Sequence, residues 1–148
     1  MSPTARHTAA VLVAVASLTF AAASPAAADG RPFTTTLTGA AEVNAQGVPN
    51  QGDPDGTGSA TLHINPGLGE VCWTITVSDV DPITAAHIHV APPTAPGPVV
   101  VPLNPYTGGC TSLDRELALA IITDPAGYYV NVHNATYPAG ALRGQLSR

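Results

Sequence analysis

The chain alternates between apolar and polar residues along several segments, which is the pattern of β-strands that bury one face. Segment 70–78 shows it most clearly, because every second position carries a large apolar side chain: Val71, Trp73, Ile75 and Val77. This pattern predicts a half-buried antiparallel strand with Trp73 as an anchor of the core. The same reasoning predicts strands over residues 33–37, 58–64, 84–90, 99–101, 128–133 and 141–146.

Turn-forming residues separate these strands. Residues 44–58 are almost all turn formers and predict a long polar loop, while residues 91–98 form a proline-rich connection that cannot join the centre of a sheet. Residues 113–122 place leucines at helical spacing, so we expect one short helix there, ended by Asp124-Pro125. Seven or so short strands between glycine and proline turns predict an all-β fold, an antiparallel sandwich or barrel.

The first 28 residues have the features of a secretory signal peptide. Arg6 supplies a short positive region, residues 8–23 are apolar or small, and residues 26–28 are alanines of the kind that signal peptidase requires. A retained membrane helix is the alternative, but the apolar run is shorter than the roughly 20 residues needed to span a bilayer. We therefore expect cleavage after Ala28, a single domain over residues 29–148 without a membrane span, and a secreted, extracellular or cell-envelope protein.

Charge and motif content exclude several classes of function. The 148 residues include only 5 Lys+Arg against 10 Asp+Glu, and the formal charge of −5 makes nucleic acid an improbable partner. The sequence contains neither GxSxG nor HExxH, so it has no recognisable hydrolase motif. We expect no catalytic activity, although the histidines described below leave that question open.

Two cysteines remain after the predicted cleavage, Cys72 and Cys110. In an oxidising compartment two cysteines allow one intramolecular pairing, so we predict a structural disulfide between them. Two buried thiols are the alternative, and they fit an exported protein less well.

Four histidines are the candidates for chemistry. His87 and His89 are two residues apart on a predicted strand and therefore leave the same face of the sheet, where two imidazoles can converge on one metal ion. His133 lies in the predicted strand 128–133, and His63 is a candidate fourth ligand. Imidazole binds zinc and copper well, and three histidines with one open position are a known zinc arrangement. The other interpretation is that these rings only bond backbone or threonine groups, and the sequence alone favours it.

Four blocks of sequence carry a resemblance to a known family. They are LTGAAEV (residues 37–43), GTGSATLHI (56–64), AAHIHVAPPTAPGPVVVPL (85–103) and YYVNVHNATYPAGALRGQL (128–146). In this order and spacing, over residues 33–146, the chain resembles a CHRD (chordin) domain of the single-domain, secreted bacterial type. The resemblance implies a Greek-key β-sandwich or barrel of immunoglobulin-like or Cu/Zn superoxide dismutase-like topology.

The resemblance also bears on function. It implies an extracellular binding or structural module whose partner, a protein or surface ligand, is unknown. The paired histidines of the family fall on His87 and His89, and its VNVH histidine falls on His133. The alternative function is that of a mononuclear copper or zinc protein, with a redox role as one version of it. The proline-rich loop after HIH departs from the glycine-rich loop usual in the family.

Glu42 and Arg143 are polar residues within otherwise apolar family blocks. A half-buried arginine requires a carboxylate, so we predict a structural ion pair between them. The alternative is that Arg143 binds an anionic ligand.

Overall fold

The structure is a computed structural model that describes residues 30–148. The predicted signal peptide, residues 1–28, lies outside the described residues. Within them the all-β prediction is confirmed, since eight strands form one antiparallel sheet that curls into a half-barrel. The strands are β1 (Arg31–Thr38), β2 (Thr57–Asn65), β3 (Glu70–Ser78), β4 (Ile83–Val90), β5 (Val99–Pro102), β6 (Gly108–Ser112), β7 (Tyr128–Asn134) and β8 (Leu142–Gln145).

The curvature of the sheet follows from one short connection. The strand order is β5-β4-β7-β8-β1-β2-β3-β6, so β5 and β6 are consecutive in the chain yet lie at opposite edges. Eight strands about 4.8 Å apart would separate the edges of a flat sheet by roughly 34 Å. The connection, residues 103–107, spans at most about 20 Å. The edges must therefore approach each other, and the sheet closes around its inner face.

Hydrogen bonds fix this connection to both sides of the sheet. The backbone N–H of Leu103 donates to the carbonyl of Ala86 on β4, over 2.9 Å. At the other end, the indole N–H of Trp73 on β3 donates to the Pro105 carbonyl over 3.0 Å, and the Ile75 N–H donates to the Thr107 carbonyl. Trp73 is thus a buried core residue whose indole N–H also binds the connection between β5 and β6.

The apolar face predicted from alternation is the inner face of the half-barrel. On β3, Val71, Trp73 and Ile75 are buried, and on β2 Leu62 and Ile64 are fully buried. Strands β4 and β7 add four further buried side chains to this core: Ala86, Ile88, Val130 and Val132. The opposite, outer face of β4 and β7 is consequently left to the polar residues of these strands.

The predicted helix is present as α1 (Arg115–Thr123). The Asp114 side chain caps its first turn by accepting hydrogen bonds from the N–H groups of Glu116 and Leu117, at 2.8 and 3.1 Å. Ile121 is fully buried on its inner side, and the helix ends before Pro125 as predicted. The helix covers the core without entering the sheet.

Among the described strands, β6 is the one that the alternation pattern did not predict. Its sequence, GGCTS, lacks apolar alternation, yet it pairs with β3 along five residues. Gly109 lies against the ring of Trp73, where a β-carbon would stand 3.4 Å from the indole. Cys110 lies opposite Cys72 in this pairing, and the predicted disulfide between them is confirmed. Pairing with β3, rather than the intrinsic strand preference of its own residues, makes this segment a strand.

The two ends of the described chain lie side by side. Strands β1 and β8 are neighbours in the sheet, and Thr34 exchanges backbone hydrogen bonds with Ser147. No helix between residues 30 and 148 is long and apolar enough to cross a membrane.

The packing of β8 against β1 gives a prediction about stability. A β-carbon at Gly144 would collide with the Thr36 carbonyl oxygen and the Thr35 hydroxyl. We expect Gly144→Ala to lower the free energy of unfolding by about 3 kcal/mol, at the upper end of overpacking effects. Gly67→Ala is the matched control, because its β-carbon would meet only a side-chain oxygen at 3.2 Å. Denaturant unfolding followed by Trp73 fluorescence measures both, and equal stabilities would contradict the packing argument.

Candidate metal centre

Three histidines meet on the outer face of strands β4 and β7. The antiparallel register places His89 opposite Tyr129 and His133 opposite Ala85, with His87 between them along β4. Because side chains alternate across a strand, these rings all leave the face opposite the core. The three ring centroids are 5.0 to 6.2 Å apart. One candidate ligand nitrogen of each ring lies within 4.8 Å of the other two.

His89 is oriented by the loop of residues 91–98. Its Nδ1 lies 2.8 Å from the carbonyl oxygen of Gly97. A carbonyl only accepts hydrogen bonds, so Nδ1 carries the hydrogen and Nε2 has the free lone pair of the neutral ring. His89 Nε2 is buried and has no hydrogen-bond partner. Gly97 is required at this position, because any β-carbon would collide with the Val90 carbonyl.

His133 is oriented in the same way by a different loop. Its Nδ1 lies 3.2 Å from the carbonyl oxygen of Pro138, so its hydrogen is also on Nδ1. The lone pair is therefore on Nε2, the nitrogen that faces His87. Carbonyl groups that fix the tautomer and orientation of an imidazole are the usual partners of histidine ligands in metal sites.

His87 connects the other two histidines. Its Nδ1 lies 3.1 Å from Nε2 of His133. Since His133 Nε2 has the lone pair, the hydrogen between the two nitrogens belongs to His87. Two nitrogens bound to one tetrahedral ion at 2.0–2.1 Å are roughly 3.3 Å apart, so the spacing of these two atoms suits shared coordination once the His87 hydrogen moves from Nδ1 to Nε2 and frees the Nδ1 lone pair. His87 also lines an open pocket of about 280 Å³ with Thr84, Pro102, Asn104 and Tyr106.

All three imidazoles favour their neutral form. Burial, with a smaller contribution from the neighbouring His87, lowers the pKa of His133 to about 4. Burial is also the main cause of the lowered pKa values of His87 and His89. Imidazole must be unprotonated to bind a metal, so the cluster is in its binding form at neutral pH.

Arg143 holds the loop that orients His89. Its guanidinium donates hydrogen bonds to the carbonyls of Pro92 and Ala95, at 2.8 and 3.0 Å. It also lies 3.6 Å above the ring centre of Tyr129, whose ring stacks on His89 at 4.8 Å. The Tyr129 hydroxyl accepts the N–H of Gly97 at 3.1 Å. Arg143 and Tyr129 thus fix residue 97, whose carbonyl determines the tautomer of His89.

The predicted ion pair between Glu42 and Arg143 is corrected by these contacts. Both residues are buried, as the prediction required, but they make no direct salt bridge. Glu42 instead accepts hydrogen bonds from the Asn131 side chain and the Val43 N–H. The carboxylate acts on Arg143 only through longer-range charge attraction, which opposes the lowering of its pKa by burial. The guanidinium donates instead to backbone carbonyls of the loop that follows β4.

His63, the candidate fourth ligand, lies outside the trihistidine cluster. It is on β2, opposite Cys72 of β3 and Pro32 of β1, while the cluster is on β4 and β7. Of the candidate ligands, the structure therefore brings together His87, His89 and His133 and leaves His63 apart. The sequence did not indicate Tyr129 or Gly97 as parts of the site, because their roles depend on which loop folds over which strand.

Comparison with known proteins identifies one family. A family model described as CHRD domain matches residues 33–146. No curated protein and no solved structure matches the chain.

The lowered pKa of His133 predicts how the metal-free protein responds to acid. In the unfolded chain a histidine takes up a proton near pH 6.5, whereas folded His133 does so only near pH 4. The unfolded state therefore binds more protons between these values, and the free energy of unfolding falls as the pH is lowered from about 6.5 towards 4. NMR titration of the imidazole resonances measures the pKa directly. A His133 pKa near 6.5 would contradict the burial of the cluster.

The hydrogen bond from Gly97 to Tyr129 predicts a change in His89. Tyr129→Phe removes the acceptor of the Gly97 N–H, so the neighbouring carbonyl is no longer fixed against His89. We expect the metal-free variant to show His89 as a mixture of tautomers by imidazole ¹⁵N shifts, where the parent shows the Nδ1–H form alone. Tyr128→Phe, on the other face of the same strand, is the matched control and should leave the tautomer unchanged. An unaltered tautomer in Tyr129→Phe would exclude this positioning role.

Proposed function

The chain belongs to the CHRD domain family, and from this premise we propose that it is an exported protein that binds one copper or zinc ion through His87, His89 and His133. The observation that carries the proposal is the buried Nε2 of His89. It is a lone-pair nitrogen removed from water and without a hydrogen-bond partner, on a ring that has one ligand atom within 4.8 Å of those of two other neutral imidazoles. A buried polar atom without a partner costs free energy, and a bound cation would compensate for it.

The ligand set supports copper or zinc in particular. Three imidazole nitrogens without a thiolate suit copper and zinc, whereas calcium and magnesium prefer oxygen ligands. A three-histidine site leaves one coordination position of the ion open. The ion would supply the binding of water or a small ligand at that position. The open pocket that His87 lines offers space for such a ligand beside this ring.

The second candidate is an extracellular binding or structural module, which the sequence alone favoured. That interpretation expects histidines satisfied by backbone groups and an apolar patch exposed elsewhere. Two histidines do bond carbonyls, but this leaves Nε2 of His89 without a partner, and Nε2 of His133 is bonded to His87 rather than to a backbone group. The exposed large apolar residues lie on separate elements and loops: Val48, Leu68, Val99, Tyr106 and Leu119. The geometry therefore supports metal binding better than a docking surface.

Export is supported by two independent features of the chain. The first 28 residues have the composition of a signal peptide, and a disulfide such as Cys72–Cys110 persists in oxidising compartments. A metal site built from histidines alone also suits such a compartment, because imidazole ligands are not lost to oxidation as thiolates are.

Metal titration of the exported protein tests the proposal. The full 148-residue chain is expressed with secretion, and the mass of the product checks cleavage after Ala28. After treatment with a chelator, calorimetry with Cu²⁺ and Zn²⁺ should give one ion per chain. His87→Ala and His133→Ala should each weaken binding at least about a hundredfold, because each removes a ligand rather than an orienting group.

His63→Ala is the matched control, since it removes an imidazole that lies outside the trihistidine cluster, on β2. It should bind the ion as the parent does. Absence of binding at micromolar metal, or equal losses in His63→Ala and His87→Ala, would overturn the metal-binding proposal and leave the binding module.

A further inference from the structure

A second group of metal-ligating side chains lies around the disulfide. Cys72 on β3 and Cys110 on β6 are directly opposite in register, with Cα atoms 4.0 Å apart. The Glu70 carboxylate lies 3.4 Å from the sulfur of Cys72. The ligand atoms of these three residues are within 4.8 Å of one another. In the sheet order, β3 is five strands away from β4, so this group is separate from the trihistidine cluster.

His63 lies beside this group in the strand register, on the other side of Cys72, although its ring nitrogens are not among the atoms that lie within 4.8 Å of one another. It is the residue of β2 paired with Cys72, so the row His63, Cys72, Cys110 crosses three adjacent strands. Its neighbours Leu62 and Ile64 are fully buried on the inner face, and alternation therefore puts His63 on the outer face, as it does Glu70 and Cys72. Directly opposed residues have Cβ atoms about 4.5–5.5 Å apart, within the reach of an imidazole and a thiolate that share an ion.

The disulfide is a poor metal ligand, because neither sulfur is a thiolate while the S–S bond is intact. A dithiol or phosphine reductant breaks that bond by supplying two electrons, and two protons yield two thiols. Thiols that bind a metal lose those protons again and become thiolates. The reduced chain then offers two thiolates, one imidazole and one carboxylate, a set of four that suits tetrahedral Zn²⁺.

We propose that the reduced form of this protein holds a second metal site, in which Zn²⁺ is bound by Cys72, Cys110, His63 and Glu70. Strand register supplies the backbone positions of this site, and the His63 side chain turns toward the two sulfurs to join it. Strands β3 and β6 remain paired through their backbone hydrogen bonds over residues 70–74 and 108–112, so the two thiols stay opposite each other after reduction. Cys110 is exposed on an edge strand, where a reductant can reach its sulfur.

The proposed site gives a role to His63, which shares the outer face with a carboxylate and two cysteines. His63 is not part of the trihistidine cluster. Metal binding to the reduced form alone would favour that form by mass action. In the oxidised form the S–S bond leaves no thiolates, so this site does not bind the ion.

Cobalt binding to the reduced, signal-cleaved protein tests the proposal. Co²⁺ bound by thiolates gives an intense near-ultraviolet charge-transfer band that Co²⁺ on imidazoles does not give, so the trihistidine cluster can stay intact. With a phosphine reductant we expect the band to saturate at one thiolate-bound Co²⁺ per chain and to be displaced by Zn²⁺. The disulfide form should show no band.

Variants assign the ligands. His63→Gln and Glu70→Gln should each weaken Co²⁺ binding at least about tenfold, while Glu116→Gln, an exposed acid on α1, should not change it. No band in reduced protein that circular dichroism shows to be folded would overturn the proposal, as would unchanged affinity in both His63→Gln and Glu70→Gln. If reduction unfolds the chain, Zn²⁺ should restore the fold, and failure to do so also overturns it.

Discussion

The buried charge of Arg143 is the interaction on which the arrangement of the outer face depends. The guanidinium is 1% exposed, and an arginine in that position stays charged and requires acceptors for its donors. The carbonyls of Pro92 and Ala95 supply them, and the ring of Tyr129 covers the plane of the charge. The loop of residues 91–98 is thereby held across the ends of β4 and β7. Its glycine carbonyl then selects the tautomer of His89, so a buried cation on β8 determines the chemistry of a ring two strands away.

Strand register accounts for the convergence of the histidines, and the sequence could only partly predict it. Alternation placed His87 and His89 on one face of a strand and His133 on a face of another, and it predicted Trp73 as an anchor of the core. It could not predict that β7 lies beside β4, because that neighbour relation is set by pairs of residues 38 to 51 positions apart in the sequence. The resemblance to a family suggested the same three histidines without their geometry.

The remaining differences have physical causes of the same kind. Strand β6 has no alternation of its own, and its pairing with β3 and the ring of Trp73 makes it a strand. Glu42 and Arg143 are buried as expected, yet each found a nearer partner: an amide for the carboxylate, and loop carbonyls for the guanidinium. His63 faces outward as alternation requires, but toward Cys72. Local pattern thus predicts which way a side chain faces, and only the tertiary arrangement decides what it meets there.

The adjacency of β1 and β8 has a consequence for larger architectures. Because the chain enters the fold at Arg31 and leaves it beside Thr34, through the backbone pairing with Ser147, entry and exit are on one side of the half-barrel. A domain of this form can be inserted into a surface loop of another protein without forcing the ends of that loop apart. For the same reason, a short linker would join its ends into a circular permutant reopened in the loop of residues 44–56. Modularity of this sort arises from the central position of the terminal strands in the sheet.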